Sequence, residues 1–301
     1  MAGIPAPVSR RALLHGLGTA AAGVGLVSCG VPAGTSGPAS TPGPGPNAGG
    51  GRARPRAATE SVVPRRRLPS KASILREFGG RVPKQWGLDV TGVAGGSKTP
   101  FVVLSFDLCG GPGGSRHDGV LFGTLRRLAV PATFFVNARW AKANPGLLRD
   151  LAHDPLFEFQ NHGWRHRPLS VNGSSAYGIP GTEDLSAAYD EVARSQEMLG
   201  GLLPKPPQAF RPGTAYYDEI TAAMVRRLGL LPANFSVNAD AGATFPADVV
   251  ARELAAVKPG DVVISHANQP GSGTAPGYAA ALPGLLARGV RFAHLSTAFH
   301  L

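Results

Sequence analysis

After Thr99-Pro100 the chain alternates short β-rich runs with amphipathic segments to its end, and this alternation restricts it to parallel strands joined by crossover helices. The runs predicted as strands are 101–106, 132–137, 156–160, 208–211, 232–237, 261–265 and 290–295. Helices are predicted at 118–129, 144–153, 184–200, 216–229, 246–256 and 276–288. Such a sheet either closes as an irregular TIM-like barrel or stays open and doubly wound. In both cases ligands bind beyond the carboxyl ends of the strands. Asp107, His162, Arg211, Asp240 and His266 each fall at or just after such an end.

The richest of these ends is the stretch from Phe157 to His166, FEFQNHGWRH, which delivers two imidazoles four residues apart directly after a strand. Two histidines on one turn can grip a divalent cation, and Asp107, closing the run FVVLSFD, can act beside it. No apolar helical face surrounds the pair, so ordinary packing has little to bury against it.

Charge narrows the partners. Residues 1–100 carry 13 Lys and Arg against 3 Asp and Glu, while residues 101–301 carry 17 against 16, so most of the net +11 lies outside the β/α segment. A nucleic-acid face would sit on the folded domain with aromatic or base-reading partners, so no nucleic acid is expected. The glycine-rich loop 110–114 lacks the Lys-Ser/Thr of a phosphate-binding P-loop.

The N-terminus reads as an address. Ser9-Arg10-Arg11 resembles a twin-arginine export signal, and the Gly/Ala-rich run behind it ends in Leu26-Val27-Ser28-Cys29, which looks like a bacterial lipobox. On that reading 1–29 is a signal, Cys29 receives the lipid, and the protein is anchored on the extracytoplasmic face of the cell membrane. Residues 30–69, rich in Pro, Gly and Arg, read as a disordered tether. Residues 70–100 read as an extension packing on the domain, which itself spans 101–301. Once Cys29 is modified only Cys109 remains, which excludes an intramolecular disulfide.

The five strand-end positions, in this order, resemble the polysaccharide deacetylase (NodB-homology) family from about residue 101 to 296. Ser105-Phe106-Asp107-Leu108-Cys109-Gly110 is similar to its Thr-Phe-Asp-Asp-Gly motif, His162 and His166 to its His-Ser/Thr-x-x-His, Arg211-Pro212-Gly213-Thr214 to its Arg-Pro-Pro-Tyr turn, and Ile264-Ser265-His266 to its Leu-x-His. The resemblance implies an irregular TIM-like (β/α)7 barrel, a divalent metal with zinc as the default, an N-acetylated glycan as substrate, and a monomer. It implies Asp107 as general base, Arg211 beside that carboxylate, and His266 as general acid oriented by Asp240. It also implies the main chain of Thr214 as an oxyanion donor, with Tyr216 or Tyr217 refilling the pocket wall.

One departure is serious. Leu108 stands where the family commonly has the aspartate that completes the metal site, and leucine cannot bind metal. Three replacements are open: Asp118, which is equally suited to cap the next helix, Cys109, which is better suited to pack as a small side chain at a strand end than to ligate, or water. Asp240 also departs from the family's spacing and fits a turn residue. The expected function is therefore metal-dependent removal of N-acetyl groups from a cell-envelope polysaccharide. The rivals are a glycan-binding lipoprotein with a degenerate site and an O-acetyl esterase.

Overall fold

A computed structural model describes residues 67–301. The export signal, the lipobox cysteine Cys29 and nearly all of the expected tether lie outside the described residues. Helix α1 (Lys71–Phe78) and strand β1 (Trp86–Gly87) come first. The main body continues with β2 (Phe101–Leu108), α2 (Gly119–Arg127), β3 (Ala132–Val136), α3 (Ala138–Ala143), α4 (Pro145–Ala152), β4 (Phe157–Asn161), α5 (Leu185–Leu202) and β5 (Ala209–Phe210). It ends with β6 (Tyr217–Asp218), α6 (Glu219–Arg227), β7 (Leu231–Pro232), β8 (Val237–Asn238), α7 (Ala247–Ala255), β9 (Val262–His266), α8 (Thr274–Ala287), β10 (Arg291–Phe292) and α9 (Leu295–Phe299).

The sheet runs β7-β5-β4-β3-β2-β9-β8 with every pairing parallel, and β10 joins the base of β2. No ladder links β7 to β8, so the sheet curls into a half-barrel of the (β/α)7 kind. The run expected as one strand over 232–237 is split, because its two ends pair with different neighbours, β5 and β9. Each predicted helix is present within a few residues of its expected bounds. Helices α1, α3 and α9 lie outside the predicted set, being only five to eight residues long.

Alternation in β2 sorts its side chains between the core and the site. Leu104, Phe106 and Leu108 project into the apolar layer beneath the helices, while Ser105 and Asp107 project to the other side, toward the concave face of the curl. Phe134 of β3 is the hub of that apolar layer. Its ring lies 5.3 Å from Phe106, 4.8 Å from Phe122, 5.3 Å from Phe157 and 5.6 Å from Phe159, in stacked and edge-on arrangements. The segment before β2 is tied to the body by Ile74 and Phe78 of α1, which join an apolar cluster with Phe210 and Tyr217, and by Lys71 paired with Asp190 at 2.8 Å.

Asp118 corrects one expectation. Offered as a metal ligand, it is instead the N-cap of α2, with Oδ1 accepting from the Val120 and Leu121 N–H groups at 3.1 Å each. The first turn of a helix has unpaired N–H groups that a short carboxylate satisfies well, and here Oδ1 does so. Its Oδ2 is buried without a partner, and Asp118 is not among the donors that cluster at Cys109, His162 and His166.

Two substitutions check this account by denaturant unfolding. Phe134→Ala is expected to cost about 3–5 kcal/mol, because a ring with four aromatic neighbours leaves a cavity. Asp118→Ala is expected to cost about 1 kcal/mol while leaving metal affinity unchanged.

Candidate active site

The site is assembled at the carboxyl ends of five neighbouring strands, β5, β4, β3, β2 and β9. Asp107 of β2 sits in register with His266 of β9 on one side. On the other side β3 and β4 lead to His162, and β5 leads to Arg211, which comes directly after Phe210. Parallel pairing aligns these ends, and the alternation of each strand aims the polar side chains into the concave face.

The buried Asp107–Arg211 pair is at its centre. Arg211 Nη1 donates to Asp107 Oδ1 at 2.9 Å, and its Nη2 donates to Ser105 Oγ at 2.8 Å and to the Asn234 carbonyl at 3.1 Å. Its guanidinium also lies 4.1 Å from the Phe135 ring centroid. Arg211 is fully buried and Asp107 nearly so. Burial by itself would raise the Asp107 pKa, but the charges of His162, Arg211 and His266 outweigh it and hold the carboxyl below its ordinary value.

Opposite stand the two histidines. His162 is fully buried, its Nδ1 bonded to the Arg211 carbonyl at 2.9 Å, which leaves Nε2 facing Asp107 Oδ2 at 3.5 Å and Cys109 Sγ at 3.8 Å. A backbone carbonyl can only accept, so Nδ1 carries the hydrogen and Nε2 is free to ligate. The His166 ring lies 4.8 Å from that of His162, nearly perpendicular to it, and its Nε2 is buried without a hydrogen-bond partner. The ligating atoms of Cys109, His162 and His166 all lie within 4.8 Å of one another. Two imidazole nitrogens and a sulfur are a donor set suited to zinc, and the orphaned His166 nitrogen lacks only an acceptor of its lone pair. The residues present therefore fit a divalent cation. Burial would raise the Cys109 thiol, but His166 and the neighbouring histidines draw its pKa well below the ordinary value.

The turn that carries His166 is held by residues that sequence reasoning did not single out. His166 has a φ of 65°, a left-handed conformation unfavourable for a residue with a Cβ. The buried carboxylate of Glu191, on α5, compensates by accepting from the backbone N–H groups of Arg165, His166 and Arg167 at 2.8–3.3 Å. Asn137 both caps α3 and donates to the carbonyls of His162 and Gly163, at 2.9 Å each. Gly213 lies so close to His166 that a Cβ there would meet its ring and main chain at 2.4 Å, so glycine is required beside this ligand. Asn137 closes a predicted strand and was legible as a polar strand end. Glu191 left no trace, since nothing in the sequence links a helix position to a loop 25 residues earlier.

His266 and Asp240 form the remaining corner. Asp240 Oδ1 accepts from His266 Nδ1 at 3.0 Å, and Oδ2 accepts from the His266 backbone N–H at 2.6 Å and from Thr274 Oγ1 at 2.9 Å. Asp240 is also the turn residue its spacing suggested, since Oδ1 takes the Gly242 N–H at 3.2 Å. Burial would lower the His266 pKa, but the Asp240 carboxylate reverses this and raises it well above the ordinary value. Thr214 is in the turn after Arg211, its hydroxyl buried and without a partner. Tyr217 is committed to the core, its hydroxyl donating to the Phe210 and Ala233 carbonyls. Tyr216 is half-buried, packed 5.6 Å from Trp86 and 5.3 Å from Tyr177.

Residues 94–233 match the sequence model of the polysaccharide deacetylase family. The fold is similar to that of the peptidoglycan N-acetylglucosamine deacetylase Bc1960, at 21% identity and a TM-score of 0.58, covering 69% of this chain and 93% of that one. It is similar to a family 4 carbohydrate esterase from Streptomyces lividans, at 22% identity and a TM-score of 0.54 over 66% of this chain and 94% of that one. A family 4 pseudoenzyme from Bacillus anthracis shares it too, at 16% identity and a TM-score of 0.56 over 68% of each chain. The matched segment, a little under half of the chain, is similar in sequence to the polysaccharide deacetylase family, and the solved structures share its curled parallel fold.

Proposed function

We propose that this protein removes N-acetyl groups from an amino-sugar polysaccharide of the cell envelope by metal-dependent amide hydrolysis. The observation that carries the reading is the buried Asp107 carboxylate, held ionised by Arg211 and facing the His162 Nε2 at 3.5 Å. A divalent cation, zinc by preference, held at His162 and His166 supplies Lewis-acid activation of water and of the acyl oxygen.

The chain's own residues do the rest. Asp107 takes a proton from the attacking water, whose oxygen adds to the acyl carbon. Arg211 keeps that base anionic and immobile. The main-chain N–H of Thr214 stabilises the developing oxyanion. His266, oriented through Nδ1 by Asp240, presents its other nitrogen on the Cys109 side of the site to donate a proton to the amine as the C–N bond breaks. Acetate and a free amino sugar result. Tyr216, with Trp86 and Tyr177, offers aromatic surface to the sugar chain. The twin-arginine-like segment and Cys29 support export and lipid anchoring at the extracytoplasmic face, where such a polymer is found.

Leu108 supports a second reading. It is fully buried among apolar side chains, and a pseudoenzyme is known on this fold, so a glycan-binding protein without turnover is the rival. Acetate release from N-acetylglucosamine oligomers separates the two. The full chain is expected to lose activity in chelator and regain it with zinc, and activity undiminished by chelation would exclude the mechanism. Asp107→Asn is expected to lower kcat at least ~10²-fold with the fold retained by circular dichroism.

Two pKa shifts shape the pH profile of kcat/KM. Asp107 is held low, so the acid limb falls only well below neutrality. His266 must be protonated to act and is held high, so the alkaline limb is its deprotonation. Asp240→Asn removes the anion that raises it and is expected to move the alkaline limb to lower pH, leaving the acid limb in place. An unmoved alkaline limb would contradict the assignment of His266.

A further inference from the structure

We propose that Cys109 is the third protein ligand of the cation at His162 and His166, bound as a thiolate, so that this chain carries a sulfur-containing centre in place of a carboxylate-containing one. The inference rests on the metal-dependent reading of the site and makes it more specific.

The alternation of β2 is the first argument. Leu108 is turned into the apolar layer with Leu104 and Phe106, and it stays there because that layer surrounds it. The next position returns to the side of Ser105 and Asp107, which brings the Cys109 sulfur to the histidines while the leucine points away. In this chain the residue that reaches the site is the cysteine.

Distance is the second. A tetrahedral zinc centre, with Zn–S near 2.3 Å and Zn–N near 2.0 Å, puts sulfur and nitrogen about 3.5 Å apart. Cys109 Sγ and His162 Nε2 are 3.8 Å apart. The third donor, a ring nitrogen of His166, lies within 4.8 Å of both, and the Nε2 of that ring is buried with no hydrogen-bond partner. Asp118 caps α2 through Oδ1 and is not among the clustered donors, and Asp107 is engaged by Arg211 through Oδ1.

Support around the sulfur is the third. The Cys109 carbonyl accepts from Arg139 Nη2 at 3.4 Å, and the loop behind it is closed by the Gly110 N–H donating to the Gly114 carbonyl at 3.1 Å. Arg139 belongs to α3, whose cap Asn137 also holds the His162 turn, so one short helix fixes the backbone on both sides of the donors. A thiolate is a soft donor, and it favours zinc or cobalt over magnesium or manganese.

Cobalt titration of the full chain in a Cys29→Ser background tests this without reference to catalysis. The expected result is an intense near-ultraviolet sulfur-to-cobalt band at one equivalent. Cys109→Ser should abolish that band and weaken zinc binding at least tenfold. Should that variant fail to fold, the unsubstituted protein still reports: one equivalent of zinc is expected to slow iodoacetamide alkylation of Cys109, read by peptide mass spectrometry. Cobalt bound without the band, or alkylation equally fast with and without zinc, would overturn the proposal. A sulfur band without acetate release would leave the centre standing and remove the deacetylase reading. Chelator-sensitive acetate release without the band would do the reverse, and failure to bind either metal would remove both.

Discussion

The ion pair between Asp107 and Arg211 is the constraint on which the site depends. Both groups are almost wholly removed from water, where an unpaired charge is costly and loss of one partner typically destabilises by about 3–5 kcal/mol. The pair is tolerable because most of the guanidinium is engaged: Ser105 and the Asn234 carbonyl take Nη2, and Phe135 lies against its face, while Nε is buried without a partner. Since Arg211 comes after β5 and Asp107 lies on β2, the pair ties together strands separated in the sheet by β3 and β4. It also makes the His162 position specific, because the Arg211 carbonyl fixes the imidazole whose free nitrogen faces the carboxylate.

A second tier of contacts holds the donors in unfavourable backbone. His166 adopts a left-handed conformation that the Glu191 carboxylate sustains through three N–H groups, and Gly213 provides the clearance its ring needs. Strain of this kind, sustained by a buried anion on a neighbouring helix, keeps a histidine nitrogen aimed into a space where nothing else pairs with it. The chemistry therefore depends on α3 and α5 as much as on the strands that bear the reacting groups.

Much of the fold and the site was legible in the sequence. Periodicity marked the strands and the long helices because hydrophobic alternation is a local property, and the strand ends came with it. Leu108 was recognisable as a departure, but two neighbouring side chains competed for its role, and only packing decides between them. Asp118 caps α2, while Cys109, directly after β2, lies with the histidines. The division of 232–237 between two strands, and the service of Glu191 to a loop 25 residues away, depend on contacts between distant segments and leave no periodic mark.

The central claim is a single cation gripped by His162 and His166 within reach of an ionised Asp107. Crystals grown with zinc and measured at the zinc absorption edge test it most directly. The account predicts one anomalous peak bonded to the Nε2 atoms of both histidines, with the Asp107 carboxylate facing it from its pairing with Arg211. A peak held elsewhere, or rings of His162 and His166 turned apart with no metal between them, would contradict it.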